Sequence, residues 1–300
     1  MVTLRRGLVA VVIFAIGAAG CAASPHVGAH AIAPRVVHVS APVDVAGAPT
    51  VPDAAPTTAA AAVHGERATT GGVVNGAARA PRPPREPSAV SSPWERFDGE
   101  ITGPTHVVAR VAGSAIGVSP HPDEDAAVVF TNATSSGAPR VFLVVQDAGD
   151  WLQVLLPLRP NSSLGWIHRA DVDVTTVPYR VEIDRAAHRL YVFDGDNPVV
   201  DEPVAVGKPS TPTPAGQFFT VELLQPTNSA GAYGPFAFTL SAYSEVYQTF
   251  GSGDGAVGMH GTNEPASIGH DASHGCVRLS NDAVRHLATL LPLGTPVFIR

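Results

Sequence analysis

Residues 259–279 read MHGTNEPASIGHDASHGCVRL and gather three histidines around Cys276, in a chain whose one other cysteine is Cys21. A cysteine becomes a nucleophile near neutral pH when a neighbouring imidazole takes its proton and proximity stabilises the thiolate–imidazolium pair. His260 is the candidate base. Gly275 removes a side chain where a carbonyl must approach, and frees the backbone N–H groups at Cys276 and its neighbours to face a developing oxyanion. The chemistry these residue types suit is acyl transfer. Zinc is the competing chemistry, since His260, His270, His274 and Cys276 offer four ligands. The spacing H-x9-H-x3-H-x-C matches no common closed zinc pattern, so neither a metal nor any other cofactor is expected.

The elements around this run must hold it in place. Tyr179, Val181 and Ile183 alternate with Arg180, Glu182 and Asp184, the period of a half-buried strand. Two strand-like runs follow, joined by Asp194-Gly195-Asp196-Asn197, which predicts a hairpin. AGQFFTVELL and TPVFIR are further strands. LSNDAVRHLATLLPLG reads as a helix: Val284, Leu287, Ala288 and Leu291 share a face, Ser280 caps the start, Asp282 suits the first turn and Pro292 ends it.

Upstream, HVVARV, AAVVF, RVFLVV, WLQVLL and WIHRADV are β-type runs between Pro, Gly, Asn and Ser clusters, the pattern of a small all-β unit. Residues 22–92 are rich in Ala, Pro, Gly, Thr and Val without a period, and cannot offset their ordering entropy by burial. They read as a tether of about 45 Å root-mean-square reach. Arg5 and Arg6 precede an apolar run from Leu8 to Ile16 that is short for a membrane span and ends in small residues before Cys21, the order of an export signal. The net charge of -7, with Lys208 the only lysine, leaves no basic stripe for nucleic acid. Were Cys21 capped, Cys276 would be an unpaired thiol in an exported protein, which is unexpected unless its reactivity is used.

Taken together, His260-Gly261-Thr262, Ile268-Gly269 and Ser273-His274-Gly275-Cys276-Val277-Arg278-Leu279 resemble the signature of YkuD-type L,D-transpeptidases, and VGKPSTPTPAGQF resembles the family's VGK…TPxG segment. LLQPTNSAGAYGPFAFTLSAYSEVYQTF has the look of an insertion and resembles actinobacterial-type members. The segment before Cys21 resembles a bacterial lipoprotein signal, departing from it at Ala18, and WLQVLL with GWI resembles bacterial SH3-like modules. The expected organisation is a signal segment at 1–21, a disordered tether at 22–92, an SH3-like β domain at 93–175, and a mainly β, YkuD-like sandwich with one short helix at 178–300.

The resemblance implies that Cys276 attacks a peptidoglycan stem peptide between an L-centre of meso-diaminopimelate and the terminal D-alanine. D-alanine leaves, and an amine of a second stem resolves the thioester to a 3→3 cross-link. It implies His260 as base and proton donor, the Gly261 carbonyl as its orienter, and His274 and Gly275 as backbone shapers of the oxyanion site. Ser273, Arg278, Tyr233 and Tyr243 are expected to contact substrate, Arg278 through a carboxylate. Cys21 is the expected lipid attachment point, placing a monomer on the outer face of the cytoplasmic membrane. Papain-like wall hydrolases place the nucleophile before the base, unlike this chain. Sortases share the order His, Cys, Arg and stay open as an alternative, as does a non-catalytic wall-binding lipoprotein.

Overall fold

The computed structural model describes residues 92–134, 136–249 and 253–300. The signal-like segment with Cys21, and the tether up to residue 91, lie outside the described residues. The N-terminal part contains β1 (Glu95–Arg96), β2 (His106–Val111), β3 (Ala115–Val118), β4 (Val128–Thr131), β5 (Val141–Asp147), β6 (Trp151–Leu155), β7 (Ser163–His168) and β8 (Val172–Val177). Six of these form one sheet in the order β1-β7-β6-β5-β2-β8, while β3 and β4 pair as a separate ribbon. The all-β expectation for this stretch holds, although the sequence reading passed over β1, β3 and β8.

The C-terminal part contains β9 (Tyr179–Asp184), β10 (Arg189–Asp194), β11 (Asn197–Pro203), β12 (Val206–Gly207), β13 (Gly216–Leu224), β14 (Ala237–Tyr243), β15 (Ala256–His260), β16 (Asp271–Ser273), β17 (Val277–Arg278), α1 (Asn281–Leu290) and β18 (Pro296–Ile299). Eight of the strands form a sheet in the order β11-β10-β9-β18-β13-β14-β15-β17. The expected hairpin is β10–β11, closed by Asp194 opposite Asn197 with Gly195 at a φ of 57°. Ser280 caps α1 by accepting from the Ala283 amide, and Ala283, Val284, Leu287 and Ala288 face the core. Val181, Ile183, Phe218, Phe238 and Met259 bury their side chains in the same cluster.

One expectation is corrected. The stretch read as an insertion contains β14, which lies between β13 and β15 deep in the sheet. Its residues are buried on both faces, so it lacks the alternation that marks a half-exposed strand.

Val108, Val141, Leu143, Leu155 and Leu164 of the six-stranded sheet meet Phe219 and Val221 of β13 in a single apolar cluster. At Gly294, with a φ of 88°, an added Cβ would stand 2.5 Å from a Val108 methyl. The two sheets are therefore joined by continuous apolar packing, whose removal from water is the main term holding them.

Candidate active site

The site lies at the β17 end of the eight-stranded sheet. Parallel pairing sets Met259 opposite Val277 and His260 opposite Arg278. Side chains alternate along strands, so Gly258 and His260 share one face of β15 while Cys276 and Arg278 share a face alongside it. The Gly258 amide donates to the Cys276 Sγ across 3.4 Å. This edge is not bare, for Ala205 and Arg278 exchange both backbone hydrogen bonds.

His260 is 5% exposed, and its Nδ1 donates to the Gly261 carbonyl at 2.6 Å. That bond fixes the tautomer and leaves Nε2 with a lone pair. The Tyr233 ring meets the imidazole edge-on at 4.8 Å between centroids. Burial lowers the His260 pKa to about 4, with the Gly261 carbonyl opposing and the nearby Arg278 guanidinium assisting. Burial also raises the Cys276 thiol, against the Gly258 amide and Arg278, which favour the thiolate. Desolvation therefore works against both charges of a thiolate–imidazolium pair, while the Gly258 amide and Arg278 favour the thiolate.

Behind Cys276 lies a brace of short bonds. Ser273 is 1% exposed; its hydroxyl donates to the Cys276 carbonyl at 2.5 Å and accepts from the Gly275 amide at 3.1 Å. Ser273 is therefore spent inside the turn and not offered to substrate, which corrects that expectation. The same bond engages the Gly275 N–H, whereas no hydrogen bond from the Cys276 N–H is found among the described residues. Gly275 has a φ of 126°. The nearest atoms to an added Cβ there are 3.8 Å away, so the glycine is required by backbone conformation and not by crowding.

The VGKPSTPTPAG run supplies the support on the other side. The Lys208 amide and the Thr211 hydroxyl both donate to the Ser273 carbonyl, and the Gly207 amide donates to the Thr213 hydroxyl. A Cβ on Gly207 would collide with the Thr211 carbonyl at 2.2 Å. The motif thus acts as a buttress for the nucleophile turn, with the Lys208 side chain exposed.

Of the remaining expected residues, Tyr233 joins the pair and Arg278 lies beside it, its guanidinium held by Glu264 at 2.6 Å. Tyr243 does not join them. Its hydroxyl donates to the Pro157 carbonyl and its ring lies under Arg159, both in the N-terminal part. His274 is exposed, with the Tyr247 ring 6.4 Å from its own. Sequence reasoning passed over Asn281, whose side-chain oxygen accepts from the Thr262 amide just after the base. Added Cβ atoms on Gly234 and Gly261 would both strike that oxygen, at 2.4 and 2.3 Å. It also passed over Glu264; a carboxylate within the 260–276 run was the available signal. Among the described residues, no group of three His, Cys, Asp or Glu side chains gathers to hold a metal ion.

The family described as L,D-transpeptidase catalytic domain, YkuD, matches residues 178–299. A relative from Bacillus licheniformis bearing the name YkuD is 40% identical over 124 residues, covering 41% of this chain and 67% of its own. Its Bacillus subtilis counterpart is 36% identical over 127 residues, covering 42% of this chain and 69% of its own. Among solved structures, an L,D-transpeptidase from Mycobacterium smegmatis aligns with 52% of this chain and 80% of its own, at 17% identity and a TM-score of 0.35. With two relatives at 40% and 36% identity each matched over two thirds of their length, the chain belongs to the YkuD L,D-transpeptidases, a family of peptidoglycan cross-linking acyltransferases.

Proposed function

We propose that the protein forms 3→3 cross-links in peptidoglycan through a thioester on Cys276. The observation that carries this reading is the parallel pairing of β15 with β17, which brings a base of fixed tautomer and a thiol to one face of the sheet. In the first half-reaction, the Cys276 sulfur bonds to the carbonyl carbon that links the L-centre of meso-diaminopimelate to D-alanine. The His260 Nε2 takes the thiol proton as the bond forms. The Cys276 amide receives the oxyanion. The carbon–nitrogen bond then breaks, the imidazolium returns its proton to the leaving amine, and D-alanine departs.

In the second half-reaction an amine from a neighbouring stem attacks the thioester. His260 removes the amine proton, the sulfur leaves, and the thiol is restored. Tyr233 walls the groove next to the imidazole. Arg278 binds a substrate carboxylate in place of Glu264, whose own side chain is 65% exposed and free to swing out. The signal-like segment and Cys21 support export and lipid anchoring of a monomer at the outer face of the cytoplasmic membrane, with the tether carrying the enzyme into the wall.

Intact-mass spectrometry of the full-length protein tests the reading. A carbapenem is expected to add covalently at Cys276, and a disaccharide tetrapeptide to yield a product lighter by one D-alanine. A wild-type protein inert to both refutes it.

A further inference from the structure

Arg159 sits in the connection between β6 and β7, on the N-terminal part, yet spends its guanidinium on the other part. Its Nη1 donates to the Asp254 carbonyl at 2.8 Å; its Nη2 donates to the carbonyls of Tyr247 at 2.8 Å and Ser244 at 3.2 Å. The same group stacks 4.6 Å above the Tyr243 ring. Two residues on, Asn161 exchanges a reciprocal pair of hydrogen bonds with the Tyr243 backbone, each 2.8 Å. The Tyr243 hydroxyl returns a bond to Pro157. All these contacts fall on Tyr243 at the end of β14 and on the residues between it and β15.

Those residues lead to the nucleophile from two directions. Ser244 folds the chain back by accepting from the Val246 and Tyr247 amides, which brings the Tyr247 ring towards His274, two residues from Cys276. From Asp254 and Gly255 the chain enters β15, the strand of Gly258 and His260. Gly255 has a φ of 78°, and an added Cβ would lie 2.5 Å from the Tyr247 carbonyl and 2.8 Å from the Arg159 Nη2. The apolar cluster around Phe219 already joins the two sheets, so their association does not depend on this polar set. Only a planar fork with several donors can serve three carbonyls and a ring face at once; an ammonium cannot.

We propose that Arg159, with Asn161, is a positioning residue for the reaction at Cys276: the N-terminal part holds the 243–247 segment, whose Tyr247 ring stands 6.4 Å from that of His274, in register with the thiol, as one side of the substrate groove. This rests on the reading of Cys276 as the acylated residue. Displacing a groove wall by about 1 Å can cost on the order of 100-fold in rate while the reacting thiol stays intact.

The test compares wild-type, Arg159→Ala, Arg159→Lys and Asn161→Ala full-length proteins. Cys276 acylation by a disaccharide tetrapeptide is set beside alkylation by iodoacetamide, a probe too small to need the groove. Hydrogen exchange of residues 243–249 and the melting temperature are also measured. Arg159→Ala is expected to slow tetrapeptide acylation about 10- to 100-fold and speed exchange at 243–249, with alkylation within about 2-fold of wild type. Arg159→Lys should recover only a small part, and Asn161→Ala should lose less than Arg159→Ala. Tetrapeptide rates within 2-fold of wild type overturn the proposal. So does a parallel change in both probes with a falling melting temperature, which marks a purely structural residue. A wild type that carbapenem and tetrapeptide leave unmodified refutes the thioester reading instead, and the exchange measurement alone then decides whether Arg159 orders the segment.

Discussion

Two imidazoles are buried to the same degree in this molecule and put to opposite ends. His106, 4% exposed, lies at the start of β2 opposite Val177, and neither of its ring nitrogens has a hydrogen-bond partner among the described residues. His260, 5% exposed, has one nitrogen fixed to a carbonyl, an aromatic ring on its flank and a thiol on its face of the sheet. Burial lowers the pKa of both, and an arginine assists in each case: Arg180 for His106, Arg278 for His260. A depressed pKa therefore does not mark a base. What separates the two is the bond that fixes the tautomer and, in the proposed reaction, the thiol that the remaining lone pair would deprotonate.

The contrast can be broken at its strongest point first. Replacing His260 by Ala is expected to slow acylation of Cys276 by a carbapenem about 10²- to 10⁴-fold, as for loss of a general base, read from the adduct mass against time. Replacing His106 should leave that rate unaltered.

Acid titration sharpens the comparison next. A folded pKa held below the unfolded value means the unfolded chain binds more protons between the two, so stability is full above about pH 6.5 and falls as pH drops. For His260, at about 4, the window runs from about pH 6.5 to 4, and the loss totals about 3 kcal/mol, detectable by urea unfolding across that range. His106 adds in the same direction. The acid limb of the activity profile should likewise lie near pH 4, well below the pH 6.5 of an ordinary imidazole.

The smallest effect belongs to His106→Leu. Exchanging an unpartnered buried ring for an apolar side chain is expected to change stability by about -0.5 to +2 kcal/mol at neutral pH, most simply as a gain, and to flatten the acid dependence. A loss of several kcal/mol would show that the ring nitrogens are satisfied after all.

How much of this was legible beforehand follows from the range of each interaction. The β10–β11 hairpin, the capped helix and the gathering of His260 and Cys276 on neighbouring segments were written in local patterns: a turn tetrapeptide, a Ser280 cap and a contiguous glycine-flanked motif. β14 was missed because its two buried faces erase alternation. The commitments of Ser273 to Cys276 and Gly275 were hidden because a buried serine and an exposed one read alike in a sequence. Tyr243 was misplaced for a longer-range reason: its partners Pro157 and Arg159 are more than 80 residues away, and no periodicity reports such a meeting. The desolvation that acts on His260 and Cys276 was equally invisible, since it depends on solvent exclusion by the assembled fold.

The ladder between β15 and β17 has a consequence for how such a site can change over generations. Because side-by-side strands running in one direction bring base and thiol together, residues 261–275 are a crossover whose span the chemistry does not dictate. Lengthening its exposed arc around Glu264–Ser267 should alter what the groove admits while the reacting atoms keep their places. New substrate preferences can thus be acquired by insertion there, without reinventing the catalyst.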